Sequence, residues 1–199
     1  MRLGIFGGTF DPIHVGHLVA AVNARHALAL DRVLLVVANE PWQKVAERPV
    51  TPARDRLAMV EAAVAGHPGL EASAMEIERG GPSYTADTVE ELVRRFRDAE
   101  LFLLVGADVV ADLKSWERID AVRDAVTLVA VNRPGAETVE LGPGGPLDGW
   151  RALAIEIPDL EISSTDLRDR ARTGRPLDYL VPEPAIRVIR ARRLYADQG

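Results

Sequence analysis

Apolar runs alternate with helical patterns along this chain, and the alternation predicts an α/β fold. Six short runs have the character of strands, at 2–6, 32–38, 71–77, 101–105, 126–131 and 152–157. The second and the fourth are apolar almost throughout, as expected for strands that are covered on both faces. Helical patterns lie near 17–29, 52–65, 85–98 and 116–124, and two more close the chain at 164–172 and 183–195. This order predicts a parallel sheet with helices on both faces.

Length and loop composition indicate a single domain over residues 1–199. A chain of 199 residues is long enough to bury a full core. The stretch 133–149 is rich in glycine and proline and predicts a long exposed loop. That loop is too short to separate two domains.

Charge and cysteine content limit the partners and the compartment. The net charge of −6 argues against a long nucleic acid as a partner, because proteins that grip one usually present a basic surface. The chain has no cysteine, which excludes disulfides and thiolate metal sites. It enters a strand pattern at its first residues, and no apolar run approaches the roughly 20 residues that cross a membrane. We therefore expect a cytoplasmic protein with neither a membrane nor a nucleic acid as its partner.

The most informative segment follows the first predicted strand. Residues 7–17 read Gly-Gly-Thr-Phe-Asp-Pro-Ile-His-Val-Gly-His. Gly7 and Gly8 let the backbone approach a ligand closely, and the helix start after them offers free N–H groups and a positive dipole end to an anion. His14 and His17 are three residues apart, so they can share one face of a helical turn. The segment predicts phosphate chemistry, foremost nucleotidyl transfer, at the carboxyl edge of the sheet.

Other interpretations of this segment have less support. An isolated H-x-x-H pair is more often a pair of surface histidines. A zinc site would need a cysteine or an acidic ligand at metalloprotease spacing, and neither follows the pair. The chain also lacks both G-x-G-x-x-G and the P-loop pattern, which argues against the usual dinucleotide and NTPase sites.

A second candidate anion site opens a helix near the end of the chain. Residues 162–168 read Ile-Ser-Ser-Thr-Asp-Leu-Arg. Hydroxyls and N–H groups at a helix start can hold phosphate, and an arginine makes planar two-pronged contacts with its oxygens. Ser164, Thr165 and Arg168 are the candidates. The plain alternative is a serine cap followed by a solvated arginine.

Three further segments lie at predicted strand ends or helix starts. Lys44, in the loop 39–44, is either a phosphate contact or a solvated lysine. Residues 83–85, Ser-Tyr-Thr, open a helix and either receive a carboxylate or form a capping turn. Asp108 follows a buried strand and can accept from ribose hydroxyls, while Trp116 can stack on a heterocycle. A capping aspartate and a core tryptophan are the alternatives for these two.

With these segments assembled, the chain resembles the bacterial nicotinate-nucleotide adenylyltransferases over nearly its whole length. The resemblance rests on GGTFDPIHVGH at 7–17, GPSYTADT at 81–88, GAD at 106–108 with Trp116, Arg133-Pro134-Gly135, and ISSTDLR at 162–168. The first and the last motif are shared by the wider nucleotidyltransferase superfamily, whereas the second and the third favour this family. The resemblance implies a Rossmann-like sheet and adenylyl transfer from ATP to nicotinic acid mononucleotide in NAD biosynthesis. It also implies Mg²⁺ bound through the ATP phosphates, without a dedicated protein metal site. A homo-oligomer is left open.

The resemblance also implies roles for single residues. His17, His14 and Lys44 form the expected catalytic set, and the helices at 164–195 are expected to complete the phosphate site. The expected ATP contacts are Gly7, Gly8, Thr9, Phe10, His14, His17, Gly106, Asp108, Ser164, Thr165 and Arg168. The expected mononucleotide contacts are Lys44, Tyr84, Thr85, Trp116 and Arg133. The family often has histidine before the lysine, whereas this chain has Gln43, so no phosphate role is assigned to that position.

Two alternative functions stay open at this point. Adenylyl transfer to phosphopantetheine shares the histidine segment and the ISST-type helix, but it does not need the pairing of Ser-Tyr-Thr with a tryptophan. A nucleotide-binding regulator without catalysis would have no use for His14, His17, Lys44 and Arg168 together.

Overall fold

One parallel sheet organises the fold. A computed structural model describes residues 1–41, 49–132, 145 and 147–196, with the backbone alone for Asp108. Within these residues the strands are β1 Arg2–Gly8, β2 Arg32–Val37, β3 Leu70–Ser73, β4 Glu100–Gly106, β5 Thr127–Asn132 and β6 Ala152–Glu156. Their order is β3-β2-β1-β4-β5-β6, and every neighbouring pair is parallel. The order reverses at β1, so the point at which such sheets bind ligands lies between β1 and β4.

Helices cover both faces of the sheet, as the sequence predicts. They are α1 Val15–Ala27, α2 Ala53–Val64, α3 Met75–Arg79, α4 Thr85–Arg95, α5 Ala107–Val110, α6 Ile119–Ala125, α7 Ser164–Thr173 and α8 Glu183–Ala191. Met59 of α2 and Leu167 of α7 belong to the buried cluster on one face. Val89 of α4 and Val122 of α6 belong to the cluster on the other face. The predicted α/β class, with a Rossmann-like parallel sheet, is confirmed.

The predicted strand at 71–77 is wrong beyond Ser73. There Met75–Arg79 forms the short helix α3, on which Glu76 and Arg79 lie 3.9 Å apart as an (i, i+3) ion pair. A short apolar stretch is compatible with either a strand or a buried helical turn, and periodicity alone does not separate them. The error matters because α3 brings Glu76 to the edge of the functional cleft.

Two other predicted helices have different ends. The helix predicted at 116–124 starts at Ile119, and Trp116 lies in extended backbone after a 3₁₀ turn at Leu113–Ser115. The last helix ends at Ala191 rather than 195, and the chain then turns through the left-handed region at Arg193, with φ of 51°. That turn sends Tyr195 back towards the sheet. Most of the predicted loop 133–149 lies outside the described residues.

Candidate active site

A cleft of about 890 Å³ opens at the carboxyl edge of the sheet, over the ends of β1 and β4. This volume lies within the range of small-molecule sites. Thirteen of the predicted site residues line it: Gly7, Gly8, Thr9, Phe10, His14, His17, Tyr84, Thr85, Gly106, Trp116, Ser164, Thr165 and Arg168. The structure thus brings the two predicted anion segments, which are about 150 residues apart in sequence, to one cleft.

The end of β1 is open to the cleft at Gly7 and packed at Gly8. A Cβ placed on Gly7 would meet no described atom within 4 Å, so backbone is accessible there to a ligand. A Cβ on Gly8 would come within 2.8 Å of the Phe10 ring, so any larger residue there would force this buried ring to shift. Phe10 is 2% exposed, and its ring packs edge-on against His17 at 5.1 Å. Phe10 therefore holds the His17 ring in place through this contact.

The two histidines form a stacked pair at the start of α1. Their ring centroids are 3.7 Å apart, with an angle of 29° between the planes. The His14 backbone N–H donates to His17 Nδ1 at 3.2 Å. Because Nδ1 accepts this bond, the neutral His17 ring carries its proton on Nε2. His17 is thereby prepared to donate from Nε2.

Helix α7 docks its first turn directly onto the loop after β1. Its cap is Ser163, whose hydroxyl accepts from the Asp166 N–H at 3.2 Å. The Ser164 hydroxyl donates to the Pro12 carbonyl at 3.1 Å. Arg168 donates through Nη1 to the Asp11 carbonyl at 2.8 Å and through Nη2 to Thr165 Oγ1 at 3.1 Å. These bonds hold the arginine beside the segment 7–12, here called the glycine loop, and bring the starts of α1 and α7 together.

Tyr195, which lies beyond the last helix, also holds the loop after β1 in place. The Tyr195 hydroxyl donates to Asp11 Oδ1 at 2.8 Å, and Asp11 is 1% exposed. Burial and the neighbouring Asp11 carboxylate raise the pKa of the Tyr195 hydroxyl, so it stays a donor across the neutral range. Nothing in the sequence motif indicates this partner, because Tyr195 lies 184 positions away.

The start of α4 also lines the cleft. Tyr84 is the N-cap residue of this helix, and the N–H groups of its first turn lie in the segment that the sequence singled out. The Ser83 N–H donates to the Glu40 carbonyl at 3.0 Å, which ties the turn before α4 to the end of β2. Trp116 lines the same cleft. A helix start and a flat aromatic face thus lie in one cleft.

Glu76 is a carboxylate that the sequence analysis missed. It is 7% exposed, lines the cleft, and accepts from the Thr88 hydroxyl at 2.5 Å. Burial raises the pKa of Glu76 above its ordinary value of 4.5, and this effect exceeds the lowering by hydrogen bonds from Ser83 and Thr88 and by the charge of Arg79. In the sequence, the i,i+3 spacing of Glu76 and Arg79 was the signal for a helical turn in a segment that otherwise resembles a strand.

The raised pKa of Glu76 predicts a pH-dependent change of stability. Since the folded pKa exceeds the unfolded one, ionisation costs the folded state free energy, and stability falls as the pH rises from 4.5 through the raised value. Glutamine does not titrate. The Tm of Glu76→Gln minus that of the wild type should therefore increase with pH across this window. Thermal melts from pH 4 to 8 measure it, with Glu78→Gln, an exposed carboxylate of the same helix, as control. A difference that stays flat with pH would contradict the argument.

Some predicted contacts lie outside the described residues. Lys44 and Arg133 belong to these, as does the side chain of Asp108. The backbone of Asp108 lies in α5, directly after Gly106 at the carboxyl end of β4. Among the described residues there is no group of three or more His, Asp or Glu side chains that would hold a metal ion. Nor does any helix in those ranges have the length and apolarity to span a membrane.

The fold and the cleft at its switch point place the chain among the α/β nucleotidyltransferases. A family model described as cytidylyltransferase-like matches residues 5–170. The chain is 47% identical over 200 residues to a Corynebacterium kroppenstedtii protein named "Probable nicotinate-nucleotide adenylyltransferase", covering all of this chain and 92% of that one. A Thermus thermophilus protein of the same name is 44% identical over 195 residues, covering 98% of this chain and 100% of that one.

These relatives establish the family: the chain belongs to the nicotinate-nucleotide adenylyltransferases. A solved structure has the same fold. It is the nicotinic acid mononucleotide adenylyltransferase of Plasmodium falciparum complexed with NaAD, with a TM-score of 0.78 at 17% identity, covering 98% of this chain and 97% of that one.

Proposed function

We propose that this protein transfers the adenylyl group of ATP to nicotinic acid mononucleotide, giving deamido-NAD and pyrophosphate in NAD biosynthesis. The observation that carries the proposal is the docking of α7 onto the glycine loop, through Arg168 to the Asp11 carbonyl and Ser164 to the Pro12 carbonyl. This contact creates one extended anion site beside the stacked histidines. Membership of the family supports the choice of substrates. A cytoplasmic location is part of the proposal.

The chemistry needs positioning more than a protein nucleophile. The phosphate of the mononucleotide is already an anion, so it can attack the α-phosphorus of ATP without a base. The protein must bring two anions together in line and stabilise charge on the leaving pyrophosphate. We assign the Nε2–H of His17 to the α-phosphate in the transition state, and His14 to the ATP phosphates. Lys44 is proposed as a further phosphate contact.

ATP is proposed to lie along the glycine loop and the start of α7. Ser164 and Arg168 hold its β- and γ-phosphates, and Asp108 serves its ribose. Its remaining proposed contacts are Gly7, Gly8, Thr9, Phe10, Gly106 and Thr165. The α7 helix is ten residues long, so its dipole and free N–H groups support an anion at its start. The C-terminal part of the chain, 164–195, thus completes the phosphate site in this proposal.

The mononucleotide is proposed to lie between α4 and Trp116. The first-turn N–H groups at Tyr84 and Thr85 receive the carboxylate of the pyridine ring, and Trp116 stacks on that ring. Arg133 is assigned to the same substrate. A helix start favours a carboxylate over a neutral amide by roughly 0.3–1 kcal/mol when exposed and by more when partly buried. We therefore expect the acid mononucleotide to be preferred over the amide.

Mg²⁺ is proposed to bind through the ATP phosphates. Mg²⁺ prefers oxygen ligands and commonly takes substrate phosphates with one or two carboxylates and water, which suits a cleft whose described side chains form no cage of three or more His, Asp or Glu. When bound, the ion supplies charge neutralisation on the leaving pyrophosphate.

Trp116→Ala is expected to raise the KM for the mononucleotide and to leave the KM for ATP almost unchanged. A flat aromatic face against a cationic pyridinium contributes about 0.5–2 kcal/mol, which corresponds to about 2- to 30-fold in KM. Steady-state kinetics with each substrate varied in turn measure the split. Trp116→Phe, which keeps a flat face, should recover part of the loss. A rise in KM confined to ATP would show that the positions proposed for the two substrates must be exchanged.

A panel of acceptors tests the proposed function. Pyrophosphate release is followed with ATP and either the acid mononucleotide, the amide mononucleotide or phosphopantetheine. The proposal expects the highest kcat/KM with the acid. Equal kcat/KM values with the acid and the amide would contradict a carboxylate site at Tyr84 and Thr85. A higher kcat/KM with phosphopantetheine would show that phosphopantetheine is the acceptor. Binding of ATP without pyrophosphate release under any condition would indicate a regulator.

A further inference from the structure

Arg56 is a buried arginine that the proposed chemistry does not use. It lies on α2 and is 1% exposed. Its guanidinium donates to three main-chain carbonyls: Nη1 to Thr9 at 2.8 Å, Nη2 to Asn39 at 2.9 Å and Nε to Thr51 at 2.7 Å. Burying a cation is costly unless its donors are satisfied, and here all three nitrogens have partners. These contacts join loops that lie far apart in sequence.

The first carbonyl belongs to the loop assigned to ATP. Thr9 directly follows Gly7 and Gly8, the last two residues of β1, and lines the cleft. The bond from Arg56 to this carbonyl is buried, and Arg56 does not line the cleft. Arg56 therefore holds this loop in place without occupying the cleft.

The second carbonyl leads to the wall assigned to the mononucleotide. Asn39, two residues past the end of β2, donates its N–H to Ser83 Oγ at 2.8 Å and its side-chain amide to the Gly81 carbonyl at 2.9 Å. Gly81 and Ser83 form the turn that opens α4. One hydrogen bond thus joins the guanidinium to the loop assigned to ATP. Two successive hydrogen bonds, through Asn39, join it to the turn before Tyr84.

The shape of the guanidinium makes this link specific. Its donors are held in a rigid planar fork, so the distance between the two carbonyls at Nη1 and Nη2 is set by covalent geometry. A lysine is a point charge on a flexible stem and cannot span both. In a reaction between two bound anions, an error of about 1 Å in their relative placement can cost up to about 100-fold in rate.

We propose that Arg56 is a positioning residue that sets the separation of the two substrate subsites, a role that rests on the proposed function. It touches neither substrate. Its effect is therefore on the geometry of attack, which enters kcat when both substrates are saturating. A residue with a purely structural role would lower the Tm and the yield of folded enzyme but leave kcat per folded molecule unchanged.

The test compares Arg56→Lys with the wild type and with Arg54→Met, an exposed arginine of the same helix. Kinetics are normalised to folded enzyme, and the Tm is recorded. Arg56→Lys should lower kcat by about tenfold, with both KM values within about threefold, because the charge is kept and the fork is lost. Arg54→Met should match the wild type. An unchanged kcat with a lowered Tm, or a rise in the KM of ATP alone, would overturn the proposal.

A second variant keeps the test decisive if Arg56→Lys does not fold. Asn39→Ala removes the bond to the Gly81 carbonyl and leaves the main-chain bond to Arg56 in place. It should lower kcat severalfold at saturating substrates without changing the KM of ATP, and an unchanged kcat would contradict the link. If the wild type and Arg54→Met use an acceptor other than the acid mononucleotide, the proposed acceptor is wrong. In that case the ratio of kcat for Arg56→Lys to kcat for the wild type, measured with that other acceptor, tests the positioning role of Arg56.

Discussion

Replacing His17 with alanine is expected to lower kcat by about 10²–10³ while ATP affinity stays within a few fold of the wild type. The His14 N–H occupies Nδ1 of His17 at 3.2 Å, which leaves the Nε2–H as the donor available to a ligand. Phe10 and His14 pack on the ring and hold it in place. A donor that is fixed in this way acts most strongly where charge develops, which is on the α-phosphate in the transition state.

Two control variants separate the loss of the ring donor from a disturbed helix start and from the loss of any histidine on this helix. His17→Gln places at N3 a residue that can still serve the backbone of the cap, so its loss of activity reports the missing ring donor. His26→Ala removes an exposed histidine of the same helix and should have no effect. Single-turnover rates and equilibrium ATP binding separate chemistry from affinity. Near-normal turnover with weakened ATP binding in His17→Ala would refute the role assigned to this residue.

Replacing Arg168 with alanine is expected to raise the KM for ATP by about 10- to 100-fold, since a hydrogen bond to a charged group is worth about 1.5–3 kcal/mol. The KM for the mononucleotide should change little. The arginine is held beside the glycine loop by its bonds to the Asp11 carbonyl and to Thr165. Ser164→Ala should act in the same direction with a smaller effect, because the bond that is lost is a neutral one, from the Ser164 hydroxyl to the Pro12 carbonyl, which holds the start of α7 against the glycine loop.

Two variants separate a phosphate role from a docking role for Arg168. Arg172→Ala removes a surface arginine of the same helix, which pairs with Asp169 at 2.6 Å, and should leave both KM values unchanged. Arg168→Lys keeps the charge but loses the two-pronged contact, so it should fall between alanine and the wild type. An effect confined to the mononucleotide would place the triphosphate elsewhere in the cleft.

Local sequence was enough for most of the fold. The unbroken apolar runs of β2 and β4 identify strands buried on both faces, and they pair in parallel as expected. The prediction failed at α3, where four residues after β3 are apolar enough for a strand but bury Met75 and Glu76 on a helical turn. It also failed after Ala191, where a left-handed turn replaces the last helical turn.

The candidate site, like the fold, was predictable from the sequence only in part. The residues that line the cleft were largely predictable, because Gly7, His17 and Arg168 belong to motifs whose chemistry can be recognised from residue types and spacing. The supporting residues were not. Arg56 and Tyr195 bond to partners 47 and 184 positions away, and Glu76 bonds to Thr88, 12 positions away on the next helix; each of these three bonds depends on the tertiary packing.

We expect direct in-line transfer between two substrates that the cleft positions, without a covalent enzyme intermediate. The stereochemistry at the α-phosphorus tests it most directly. The enzyme is given one diastereomer of ATP that carries sulfur on the α-phosphate, and the configuration of the dinucleotide product is determined. A single in-line displacement predicts inversion at phosphorus. Retention would require two successive displacements through an adenylylated side chain, and it would contradict the mechanism proposed for His17 and Arg168.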